Sequence, residues 1–77
     1  MDRIPKEEIL KWLEKLKKEM KNVRILNEKG KEALENVKAY MYDSNHFLKE
    51  NNLFLALEAA IWAWAWFKIS KELKLIE

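Results

Sequence analysis

The chain has 77 residues, enough for one domain but not two, and a core this small needs close packing or self-association for part of its stability. With 49% apolar and 36% charged residues, no cysteine, and one glycine and one proline, the composition excludes a disordered tail, disulfides and thiolate metal sites, and it disfavours tightly turned strands. Fifteen basic residues face thirteen acidic ones, and the net charge of +2 is too balanced to argue for nucleic acid by itself.

Pro5 suits the first turn of a helix, where its missing N–H is not needed, and Glu7 and Glu8 follow at positions that favour negative charge. Ile9, Leu13, Leu16, Met20 and Val23 then recur in steps of four and three, which predicts a first helix over about residues 6–26. Leu10, Trp12 and Leu26 widen its apolar arc, and Glu7/Lys11 and Glu14/Lys18 stand at ion-pair spacing.

Asn27 reads as a helix N-cap. Gly30 costs about 1 kcal/mol relative to alanine inside a helix, so a break is expected near residues 27–30. The heptad-like spacing also allows a continuous rod over 6–49, which would have to bury its stripe against another chain. A second helix is predicted over 29–49, with Leu34, Val37, Met41 and Leu48 on one seam and Ala33, Tyr40 and Phe47 beside it. Glu50-Asn51-Asn52 is a turn signal, because asparagine tolerates left-handed backbone and also caps the next helix; so short a connection makes an antiparallel hairpin.

The third helix, over 53–75, carries two stripes. Leu55, Ala59, Trp62, Trp66, Ile69 and Leu73 form one, and Ala56, Ala60, Ala63 and Phe67 form the other. Leu57, Ile61 and Trp64 lie outside both, leaving Glu58 as the one charge in the helix's first half. Two neighbouring helices do not cover so much apolar surface. Leu57, Ile61, Trp62, Trp64 and Trp66 are therefore the expected interface of a homo-oligomer, a dimer or larger, with a different protein as the second choice of partner. The predicted fold is all-α: a three-helix bundle with a C-terminal antiparallel helical hairpin, completed by self-association.

Tyr40, Asp43 and His46 form a candidate polar cluster on the second helix, where a carboxylate three residues from an imidazole could orient it. The plain reading is a partly exposed network. Neither Ser44 nor Ser70 sits on a nucleophile elbow, one histidine with scattered carboxylates makes no zinc or diiron set, and no phosphate-binding glycine loop occurs. No enzyme activity, metal or cofactor is expected. Residues 1–26 hold eight basic and five acidic side chains, and Lys11, Lys15, Lys17, Lys18, Lys21 and Arg24 make the first helix basic. Those residues carry the alternative reading, an RNA-binding accessory module, although Glu14 and Glu19 interrupt the run. The apolar run Leu53–Phe67 is shorter than the roughly 20 residues that cross a bilayer, and the segment Met1–Lys6 lacks a signal peptide's apolar stretch. A cytoplasmic protein without membrane contact is expected.

Tyr40-Met41-Tyr42-Asp43-Ser44-Asn45-His46-Phe47-Leu48, the turn Asn51-Asn52, then Ala56 and Ala60-Ile61-Trp62-Ala63-Trp64-Ala65-Trp66-Phe67 resemble an archaeal family, domain of unknown function 357. The likeness covers residues 38–76. It implies a short helical bundle on an antiparallel hairpin, with Tyr40 and Asp43 on the family's polar pattern and Phe47, Ala56, Ala63 and Trp66 on its packing positions. The chain departs from the pattern at Asn51, where a turn glycine is usual, at Lys68, where an aspartate is usual, and at Lys74, near a late glycine.

Overall fold

The computed structural model describes residues 5–77 and consists of three helices, α1 (Lys6–Met20), α2 (Glu28–Lys49) and α3 (Leu53–Glu72). The segment Met1–Ile4, and with it most of the stretch read for a signal peptide, lies outside the described residues. Pro5 precedes α1 in extended conformation and Glu7 and Glu8 occupy its first turn.

α1 stops six residues short of the predicted 26. Residues 24–26 pair instead with the chain's last residues. The Arg24 N–H donates to the Glu77 carbonyl at 2.6 Å, the Glu77 N–H to the Arg24 carbonyl at 2.9 Å, and the Leu26 N–H to the Leu75 carbonyl at 3.0 Å. Ile25 and Ile76 form the antiparallel bridge at the centre of this contact. β-Branched Val23 and Ile25 favour extended backbone, so the helical spacing that reaches Val23 is overridden. Residues 21–27 therefore separate α1 from α2, and the continuous rod over 6–49 does not form.

Both α2 and α3 end in the same way. The Asn52 N–H donates to the Phe47 carbonyl and the Asn51 N–H to the Leu48 carbonyl, with Asn51 left-handed at φ 60°. At the end of α3 the Leu75 N–H donates to the Ser70 carbonyl and the Lys74 N–H to the Lys71 carbonyl, with Lys74 at φ 58°. These are Schellman motifs closed by a non-glycine residue. Lysine in that conformation costs about 1 kcal/mol, and it ends α3 at Glu72, before the predicted 75. Asn52 caps α3 through its side-chain oxygen, which accepts from the Leu55 N–H at 3.2 Å.

α1 lies along the α2–α3 hairpin, so the chain runs up, down and up. Near the Asn51-Asn52 turn, Ile9 and Leu13 pack with Leu48, Ala56 and Ala60; at the opposite end, Leu16 packs with Leu34, Val37, Ala63, Phe67 and Ile76. Ala56, Ala60 and Ala63 are fully buried. Their small side chains bring the hairpin backbones close enough for the buried Ser44 hydroxyl to donate to the Ala56 carbonyl at 2.7 Å.

Gly30 is inside α2 and breaks nothing. Its N–H donates to the Asn27 side-chain oxygen at 2.9 Å, completing an N-cap. A Cβ at this position would lie 2.0 Å from the Leu75 carbonyl oxygen, so glycine is needed for close approach of the C-terminal segment.

Candidate interaction surface

α3 buries Ala56, Ala59, Ala60, Ala63, Phe67 and Ser70, all on one side. At 100° per residue the opposite side carries Phe54, Glu58, Ile61, Ala65, Lys68 and Glu72, spaced 4-3-4-3-4. Phe54 is 67% exposed and Ile61 48%; beside them Trp62 is 49% exposed and Ile69 42%. The helix is thus apolar on most of its circumference, although only one side meets the rest of the bundle.

The five residues expected at the interface separate into two groups. Trp64 is half-buried and engaged within the chain: its indole N–H donates to the Trp12 carbonyl at 3.0 Å, and the Phe67 ring meets it edge-on at 6.1 Å. Lys15 and Lys68 place their ammonium groups 6.0 and 5.8 Å from its ring centre, at the outer limit of cation–π attraction. Trp66 packs against the cluster around Phe67, and Leu57 against the one around Ala60. Ile61 and Trp62 remain on the outer surface, Trp62 lying nearly parallel to Tyr40 with ring centres 6.4 Å apart. Phe54 and Ile69 join them. The signal of Phe54 in the sequence was the 4-3 spacing opposite the alanine stripe, and that of Ile69 its place in one stripe with Trp62.

Trp12, Lys15, Ile61, Trp64 and Lys68 line an open groove of about 430 Å³ between α1 and α3. A second groove, between α1 and α2, is lined by Lys17, Met20, Lys21, Lys38, Met41, Tyr42 and Asn45. The basic residues of α1 accordingly divide. Lys15 faces Trp64, Lys17 and Lys21 face α2, and Lys11 sits 3.9 Å from Glu8 instead of pairing with Glu7. Arg24, beyond the helix, holds the Glu77 carboxylate through its guanidinium, with Nε at 3.1 Å.

The polar candidates do not assemble into one cluster. Tyr40 turns to Trp62, His46 pairs with Glu50 at 3.3 Å and meets Phe47 edge-on, and Asp43 is exposed. Glu50, one turn further along the helix, takes the imidazole in place of Asp43, so the acid–imidazole pair read from the sequence is replaced by a surface contact. Among the described residues no three histidine, aspartate or glutamate side chains gather as a metal site.

With 20 residues and an 18-residue stretch of mean hydropathy 1.3, α3 has the length and composition of a bilayer-spanning helix, longer than its uninterrupted apolar run suggests. A core helix of a folded bundle has the same character, and the side of α3 that carries the buried alanines and Phe67 has that role here, although only 33% of the apolar stretch is buried.

A sequence model of the family described as "Protein of unknown function (DUF357)" matches residues 11–76. The crystal structure of protein AF1782 from Archaeoglobus fulgidus, assigned to the same family, is similar with a TM-score of 0.83 and 33% identity, over 94% of this chain and 90% of that one. No curated protein matches. The family match reaches beyond residues 38–76 and takes in most of α1.

Proposed function

The chain belongs to the DUF357 family of all-helical proteins, and from that premise we propose that it is an interaction module which self-associates through the outer side of α3. The observation that supports the reading is the exposure of Phe54, Ile61, Trp62 and Ile69 along one face of a helix whose other face already fills the core. Covering a large apolar side chain is worth about 1.5 to 3 kcal/mol, so a few such residues outweigh part of the cost of association. The net charge of +2 sets little long-range repulsion between copies. Light scattering on a sizing column at micromolar concentration is expected to give a dimer or larger species. Ile61→Lys, which keeps a helix-compatible residue on a solvated side, is expected to weaken association by about tenfold or more while circular dichroism stays unchanged. A wild-type chain that remains monomeric up to high micromolar concentration would overturn the reading.

A second reading, an RNA-binding accessory module, is favoured by one feature. Lys17, Lys21 and Lys38 converge from two helices around Tyr42, which is 73% exposed and could stack on an unpaired base. Binding to single-stranded RNA should then weaken steeply with salt, and neutralising Lys17 and Lys21 together should lower both the affinity and the salt slope. Binding that these changes leave untouched would remove this groove from consideration.

A further inference from the structure

Self-association through α3 leaves open how two copies are oriented, and the outer seam of that helix answers it. Resting on the self-association reading, we infer that two copies pair their α3 helices antiparallel about a two-fold axis level with residue 63, with Glu58 of each copy against Lys68 of the other.

The seam Phe54, Glu58, Ile61, Ala65, Lys68 and Glu72 follows the 4-3 spacing by which two helices interlock side chains. In an antiparallel pair the first and fourth positions of the heptad face one another in layers. Placing the axis level with residue 63 sets Ile61 of each copy against Ala65 of the other, where the small alanine leaves space for the isoleucine. The next layer out sets Glu58 against Lys68, and the outermost, at the ends of the seam, sets Phe54 against Glu72. Glu58 and Lys68 are both exposed, neither takes part in an ion pair among the described residues, and ten residues apart on one helix they cannot reach each other. The two-fold axis makes that contact twice.

The alternatives are disfavoured by the same charges. A parallel pair would put Glu58 against Glu58, Lys68 against Lys68 and Glu72 against Glu72 in separate layers. Sliding the antiparallel pair by one heptad takes Glu58 away from Lys68 and moves the carboxylate-against-apolar contact from the solvated ends of the seam, where Glu72 meets Phe54, to Ile61 near its middle. In the inferred register both Trp62 side chains lie on the same flank of the seam, extending its apolar area. A second copy therefore supplies an opposite charge for Glu58, which has no basic side chain within a turn on its own helix.

The test uses the full chain and two single charge reversals, Glu58→Lys and Lys68→Glu, each checked for unchanged helicity by circular dichroism. Each variant alone would carry two like-charge contacts and is expected to associate about tenfold or more weakly than wild type. Mixed in equal amounts, the two are complementary. Glu58→Lys leaves both of these seam positions basic and Lys68→Glu leaves both acidic, so each of the two contacts in a mixed pair joins a lysine to a glutamate. The mixture is expected to recover a dimer containing one of each, identified by native mass spectrometry, and to lose it as salt is raised. Wild type that dimerises while the mixture shows no preference for the mixed dimer would overturn the register and leave the self-association reading intact. A monomeric wild type would remove both.

Discussion

Gly30→Ala is expected to destabilise the protein by about 2 to 5 kcal/mol, although alanine is the better helix former by about 1 kcal/mol. The sign is decided by the atom the new methyl group would meet. It is the Leu75 backbone carbonyl oxygen at 2.0 Å, which no side-chain rotation can move aside. To admit a Cβ, the C-terminal segment must leave the first turn of α2. Ile76, 1% exposed, would then lose its place beside Leu16 and Phe67, a loss of about 1.5 to 3 kcal/mol. The three backbone hydrogen bonds between residues 24–26 and 75–77 would open as well, each contributing about 0.5 to 1.5 kcal/mol. Urea unfolding followed by circular dichroism should report the lower midpoint. Hydrogen exchange should show the Leu26 and Glu77 amides losing protection before those in the middle of the helices. A variant as stable as wild type, with those amides still protected, would mean that the close approach at Gly30 does not exist.

That contact also marks where the sequence stopped being readable. The number of helices, the hairpin and the buried side of α3 follow from periodicity and from asparagine chemistry: Ala56, Ala60, Ala63 and Phe67 are spaced for one face, Asn51 can reverse the chain and Asn52 can cap the third helix. Leu73, Leu75 and Ile76 could continue a helical pattern, and only the pairing of the last residues with distant residues 24–26 draws them out of it. Gly30 read as a break for the same reason, since a glycine required by a neighbour 45 positions away looks no different from one required by a turn. On α3 the tryptophans could be placed about the axis but not against their neighbours. Trp62 and Trp64 are two residues apart and so point to different sides, yet nothing local says that α1 takes Trp64 and leaves Trp62 outside. The polar residues divide for a like reason: Tyr40 has a partner on another helix in Trp62, while His46 meets Glu50 at the surface near the hairpin turn.

Phe67→Ala should be the costliest truncation in the core, at about 3 to 5 kcal/mol. The side chain is 1% exposed and occupies the point where α2, α3, the Leu16 end of α1 and the C-terminal segment meet. Its ring also supports the edge of Trp64, and the Lys71 ammonium lies 5.0 Å from its centre, so deleting it loosens contacts on two flanks. A domain of this size is stabilised by roughly 4 to 12 kcal/mol at ordinary values per residue, so the variant gives up from about a quarter to all of that stability. Phe67→Leu refills most of the space and should cost less than about 1.5 kcal/mol. Phe54→Ala removes the same ring from the outer side of α3 and should change the stability of the separated monomer by no more than about 0.5 kcal/mol. The comparison has to be made at matched protein concentration, since self-association adds stability that grows with concentration. If dilution lowers the unfolding midpoint of wild type but not of Phe54→Ala, the two phenylalanines hold the molecule together at different levels: Phe67 within the chain and Phe54 between chains. If instead Phe67→Ala and Phe54→Ala cost the same in dilute solution, the division of α3 into an inner and an outer side is wrong.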